Sequence, residues 1–132
     1  MSERASPFRT WNGVEPLEFV EGVRLHAIGG EQVLLCRVTY EAGKRVRRHS
    51  HEATEQVMAI LSGGVEMTIE GKTLVLGAGD VVVVNRGLEH ELYSERGVSF
   101  FEALAPVPLD HVPDRERDLV LGPDGGALHV ER

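Results

Sequence analysis

His49 and His51 are separated by a single residue. Side chains alternate between the two faces of a β-strand, so residues i and i+2 share one face. Two imidazoles on one face of one strand can chelate one metal ion, and neutral imidazole suits zinc, iron, copper and nickel. Glu55 and Gln56 follow after a short turn and can add a third ligand. His90 opens a later strand that a sandwich can bring over the same point. Alone, a His-x-His pair reads as two surface histidines; the additional partners point to a site. Arg45 and Arg47 share the parity of His49, which places them either at the mouth of the site, gripping a carboxylate bidentately, or on a solvated strand face. Glu102 is a candidate general acid or base if it points inward and burial raises its pKa, and otherwise an exposed carboxylate at a strand end. Tyr93 has the opposite parity to His90 and reads as packing. Cys36 reads as a small buried apolar residue. His26, His111 and His129 have no partner at a useful spacing and receive no role.

Strands must position these residues, because helical periodicity is nearly absent. Short apolar runs bounded by glycine recur throughout, with turn signals every 8–12 residues, as in an all-β sandwich or barrel. The expected strands are Val33 to Tyr40, Arg45 to His51, Gln56 to Leu61, Val65 to Ile69, Thr73 to Leu76, Val81 to Val84, His90 to Ser94 and Val98 to Leu104. Ser62-Gly63-Gly64 reads as the turn closing one of them and Glu70-Gly71 as a tight hairpin. The Val81 to Val84 run is fit for burial on both faces. Residues 1–16 look like an arm that needs something to pack on. Pro106 to Pro113 reads as an exit loop, and Asp114 to Leu119 as one helical turn capped by Asp114. The single domain divides into an arm with the first strands (1–32), a core (33–104) and an extension packed on the same domain (105–132).

Composition narrows the function. The 132 residues suffice for one domain with its own core and no disulfide staple. With 42% hydrophobic and 27% charged residues the proportions are globular. The net charge of -7 repels nucleic acid and anionic membranes, so a small-molecule partner is expected. No apolar run approaches the length of about 20 residues that a membrane helix needs. The amino terminus carries no signal-peptide core, and the single cysteine, Cys36, forms no internal disulfide; both point to the cytoplasm.

In this order the residues resemble the two motifs of the cupins. The first motif is glycine, five residues, His-x-His, three or four residues, glutamate, six residues, glycine. Here Gly43 is followed by five residues, His49-Ser50-His51, three residues, Glu55-Gln56, six residues and Gly63. The second is glycine, five residues, Pro-x-Gly, two residues, histidine, three residues, asparagine. Here the chain runs Gly79, five residues, Asn85-Arg86-Gly87, two residues, His90, three residues, Ser94. Asn85 replaces the motif proline and Ser94 the motif asparagine, neither usually a metal ligand. The resemblance implies a double-stranded β-helix, the cupin jelly roll, in a single domain.

The third ligand reads two ways: counting forward from His51 gives Glu55, and counting back from Gly63 gives Gln56. The chain resembles a subgroup with His-Ser-His, then Glu-Gln, then Leu-Ser-Gly, in which the glutamine oxygen binds the metal. That resemblance implies a site of His49, His51, Gln56 and His90, with Gln56, Met58 and Ile60 turned inward and Glu55 outward. The subgroup includes small bacterial cupins of pectin and alginate breakdown, which convert cyclic unsaturated uronates to linear keto forms. Similarity to them extends to Arg37, ahead of Val38 to Gly43, and gives Arg37, Arg47 and Met58 as candidate substrate contacts. Their aromatic and arginine near the last strand are missing here; Glu102 stands where they carry an acid.

The cofactor expected is one divalent ion: zinc, nickel, manganese or iron. Three histidines and a glutamine bring no ligand charge, so the ion keeps its Lewis acidity and open positions. Isomerisation, ring opening or lyase chemistry on a polar carbonyl or sugar-acid-like substrate follows first. The alternatives are an iron-dependent dioxygenase, a cyclase of the polyketide type, and a non-catalytic metabolite-binding cupin. The resemblance also implies a homodimer, with residues 1–16 available for strand exchange.

Overall fold

Glycines and tight turns cut the chain into segments whose apolar residues alternate, and each segment becomes a strand. The structure is a computed structural model that describes residues 8–108 and 111. The strands are β1 (Leu17–Val20), β2 (Val23–Gly29), β3 (Leu34–Tyr40), β4 (Lys44–His49), β5 (Glu55–Ile69), β6 (Lys72–Gly77), β7 (Val81–Val84), β8 (His90–Ser94) and β9 (Val98–Ala105). Every pairing is antiparallel. One sheet runs β1-β2-β3-β9 and continues through the first half of β5 to β7. The other pairs the second half of β5 with β6 and β8, and β8 with β4. Two facing sheets that share a strand make the jelly roll expected from the sequence.

The core lies between the sheets. Val23, Leu25, Cys36, Val38, Tyr40, Phe100 and Leu104 project from one, and Val65, Met67 and Leu92 from the other. Burying each large apolar side chain contributes about 1.5–3 kcal/mol. Glu102 interrupts the row on β9 between Phe100 and Leu104.

Two elements differ from the sequence expectation. Gln56 to Leu61 and Val65 to Ile69 are halves of one strand, because Ser62-Gly63-Gly64 is a corner where β5 passes from one sheet to the other. Gly63 has φ 80° there, and a Cβ would collide with the carbonyl oxygen of Gly97. The valine run is not buried on both faces. Val84 is 2% exposed, but Val81 and Val83 are 63% and 51% exposed, because among the described residues β7 pairs with β5 alone and none covers its outer face. The hairpin at Glu70-Gly71 forms as expected, both residues having positive φ, as such two-residue turns require.

The described part of the arm packs in cis. Trp11 stacks on Phe101 of β9 with ring centroids 6.2 Å apart, and the Arg37 guanidinium lies 5.3 Å from the Trp11 ring centre. The helical turn expected at Asp114 to Leu119 lies outside the described residues. Among the described residues no helix is long and apolar enough to cross a membrane.

Candidate metal centre

The site begins with an irregularity in β4. Val46 pairs with Leu92 and His49 with His90, so Arg47 and Arg48 together oppose the single residue Glu91. This bulge resets the alternation. Val46 and His49, three residues apart, both face the interior, where a regular strand would separate them. Arg45, Arg47 and Arg48 turn to solvent. Arg45 bonds Glu91 at 2.6 Å and lies over the Tyr93 ring.

His51 follows in the loop, whose carbonyl accepts the Gly87 N–H at 2.9 Å. The rings of His49 and His90 have centroids 4.2 Å apart, and His51 lies 5.0 Å from the first and 5.3 Å from the second. One ligand atom from each of the three histidines falls within 4.8 Å of the others.

Hydrogen bonds set the tautomers. Nδ1 of His49 lies 2.6 Å from the Arg47 carbonyl oxygen, and Nδ1 of His90 lies 2.9 Å from that of Leu88. A carbonyl only accepts, so each Nδ1 carries the proton and each Nε2 keeps its lone pair. His90 is 1% exposed. Burial holds its pKa below the usual histidine value, with His49 nearby adding to the effect and the Leu88 bond opposing it.

Gln56 enters from the second position of β5, buried, while Glu55 lies on the opposite, exposed face. The Gln56 Nε2 donates to Glu102 Oε1 at 2.6 Å. Glu102 is buried too, and desolvation raises its pKa from 4.5 to about 7 against the lowering effect of the Gln56 bond. Two buried acceptors, Gln56 Oε1 and His90 Nε2, have no hydrogen-bond partner among the described residues. An unsatisfied buried polar atom costs about 1–3 kcal/mol. Lone pairs gathered in one pocket without a donor are the arrangement a cation relieves, so the residues present fit a metal ion.

The three histidines, Gln56 and Glu102 line a cavity of about 20 Å³, whose other walls include Val23, Leu25, Val38, Tyr40, Val46, Leu92 and Phe100. A water needs roughly 10–15 Å³, so the space admits an ion or a water as it stands. Phe19 and His111 also line it, their rings edge to face at 5.1 Å, and His111 lies 6.3 Å from His51. His111 was not readable from spacing: it comes from a proline-rich loop with no period, and only tertiary packing brings it here. Tyr40, whose hydroxyl pKa burial and nearby Glu102 push up, was likewise missed as a wall residue.

The three expected substrate contacts do not line this cavity. Arg37 alternates with buried Cys36 and Val38, so it faces outward onto Trp11. The bulge turns Arg47 away. Met58 points inward as expected, yet it is fully buried in the core beyond the cavity. Among the described residues no arginine or lysine lines the cavity, so none of them supplies the side-chain cation expected for a sugar-acid carboxylate.

The cupin domain family matches residues 36–100. None of the curated proteins matches the chain. Solved structures share the fold at low identity. An RmlC-like cupin from Shewanella frigidimarina is 19% identical, with 84% of this chain and 100% of that chain covered and a TM-score of 0.75. KdgF from Halomonas sp. is 18% identical, covering 73% and 91%, with a TM-score of 0.69. Streptomyces PAC13, solved with uridine, is 15% identical, covering 77% and 83%, with a TM-score of 0.67. The family match takes in each of the strands and loops that carry His49, His51, Gln56 and His90, and the chain belongs to the cupin superfamily.

Proposed function

We propose that this cupin is a metal-dependent enzyme that performs non-redox chemistry, an isomerisation, ring opening or elimination, on a small carbonyl compound. One observation supports the reading: ligand atoms of three histidines converge, and in the same cavity the buried acceptors His90 Nε2, one of those atoms, and Gln56 Oε1 have no donor among the described residues. His49, His51, His90 and Gln56 would hold one divalent ion. When bound, the ion supplies Lewis acidity toward a carbonyl or hydroxyl oxygen. Glu102 is the carboxyl among the described residues that line the cavity, and its oxygen not engaged by Gln56 moves a substrate proton. Tyr40, Val38 and Phe100 exclude water from the far wall.

Among the described residues no side-chain cation lines the cavity to hold a carboxylate, which weighs against the sugar acid suggested by the sequence and leaves an uncharged carbonyl compound as the favoured substrate class. That PAC13 holds uridine shows only that the fold can take an uncharged ring compound. We also take the working unit to be a homodimer; the outward apolar row of Leu35, Val57 and Val83 is surface a second copy can cover, and light scattering reads its mass.

Elemental analysis of untagged protein purified without chelator tests the proposal. About one equivalent of zinc, nickel or manganese, with proton exchange or isomerisation of carbonyl compounds, supports it. Iron with oxygen uptake replaces it by a dioxygenase. No metal after reconstitution overturns both and leaves a binding protein.

A further inference from the structure

We propose that Glu102 is a positioning residue that decides which end of the Gln56 amide faces the metal ion. The inference rests on the metal-centre reading above and adds a role for Glu102 that does not depend on proton transfer. The two ends of a glutamine amide are nearly equal in size, and rotation about the last side-chain bond exchanges them. Only the oxygen end can bind a cation; the amino end presents hydrogens. A glutamine ligand therefore needs a neighbour that holds its amide one way round.

The sheet supplies that neighbour. Met58 pairs with Glu102 and Gln56 with Leu104, so Gln56 and Glu102 are diagonal neighbours on the inward face of β5 and β9. Their bond is 2.6 Å, between two buried side chains. In its ionised form the carboxylate can only accept, and it therefore selects the amino end. The reversed amide would set two acceptors against each other at the same distance in a low-dielectric site. With Nε2 so engaged, Oε1 is left on the cavity side without a partner, as is His90 Nε2. Among the described residues no arginine or lysine lines the cavity to draw the carboxylate away from the amide. Glu102 does for Gln56 what the Arg47 and Leu88 carbonyls do for His49 and His90: it occupies the donor and leaves the acceptor for the ion.

The test is zinc and cobalt affinity of the full chain, by competition with a chromophoric chelator, with a thermal melt of each metal-free variant. Glu102→Leu is expected to weaken affinity by about 10–100-fold, the usual effect of losing an outer-shell partner. Glu102→Gln retains an accepting oxygen but adds an amino end that can hold the Gln56 amide reversed, so its affinity is expected to fall between those of the parent and Glu102→Leu. A Gln56→Leu, Glu102→Leu double variant is expected to bind no more weakly than Gln56→Leu alone, because Glu102 acts through the amide. A merely structural role would give additive losses and no rescue by glutamine. If Glu102→Leu fails to fold, Glu102→Met takes its place in the cycle. Parent affinity retained in Glu102→Leu, or additive losses in the double variant, overturns the positioning role while leaving the metal centre intact. A parent protein that binds neither metal overturns the metal-centre reading itself, and the inference with it.

Discussion

His49 and His90 face each other across β4 and β8, ring centroids 4.2 Å apart, because Arg47 and Arg48 share one position opposite Glu91. The bulge, not regular alternation, delivers His49 to the cavity. Deleting Arg48 alone should give a regular ladder in which Val46 and His49 still share a face. Deleting both Arg47 and Arg48 should turn His49 outward. Metal stoichiometry near one for the first variant and near zero for the second is expected, with the first losing no more than about tenfold in affinity from its altered Nδ1 contact. Equal loss in both would assign the bulge no part in the geometry.

Metal removal should lower stability without unfolding the chain, because the sheets bury their own core. A ligand present at about 100 times its Kd stabilises by about 2.7 kcal/mol, which for a domain of this size is a rise of several degrees in Tm. Differential scanning calorimetry before and after chelation, and after adding back zinc, reads the shift. In His90→Ala the added zinc should raise Tm far less.

Glu102 gives the metal-free protein a specific pH dependence. Its folded pKa, about 7, lies above the ordinary 4.5, so the folded state binds the extra proton. The stabilisation is present in full below about 4.5 and is lost as pH rises through about 7; that difference in pKa corresponds to roughly 3 kcal/mol. His90, with its lowered pKa, acts in the opposite sense, favouring the fold as pH rises toward the ordinary histidine value. Urea titrations of the parent and Glu102→Gln at pH 4.5 and 7.5 isolate the carboxyl: the variant should gain relative to the parent at the higher pH. No relative gain would show that Glu102 is ionised without penalty.

Gly63→Ala should be among the most costly single substitutions at an exposed position. The residue has φ 80°, and a Cβ there meets backbone on β9, which no side-chain rotation relieves. The left-handed conformation alone costs about 1–2 kcal/mol for a side chain, and the collision adds to it. Gly71→Ala has the same positive φ but open space around it, and should lose only the conformational part. Urea midpoints of the two variants give the comparison.

Much of the fold was legible because turn chemistry is local: Glu70-Gly71 and the spaced glycines mark strand ends without reference to anything distant. The histidines were legible through short spacing, although His51 lies in the loop after β4 and not on the strand, and Gln56 was legible only through the resemblance, because counting along the chain left Glu55 and Gln56 both open. What failed was decided by partners. Arg47 and Val46 exchange faces because of a register shift against β8, which β4 does not encode by itself. Ser62-Gly63-Gly64 reads alike as a turn and as a corner, and only its neighbours on β9 distinguish them. Val81 and Val83 are exposed because no strand among the described residues covers them. His111 reaches the cavity from a loop whose residues have no period to reveal it.

Among the described residues, β5 is the one strand hydrogen-bonded into both sheets. The sandwich therefore has no seam along which one sheet can peel from the other without breaking a continuous backbone ladder. Gln56 lies near one end of that strand, while His90 pairs with Ile69 at the other. Opening the molecule by either sheet dismantles the pocket, so the ligand set and the whole domain should come apart in a single cooperative event, with slow amide exchange along β5 marking the last hydrogen bonds to go.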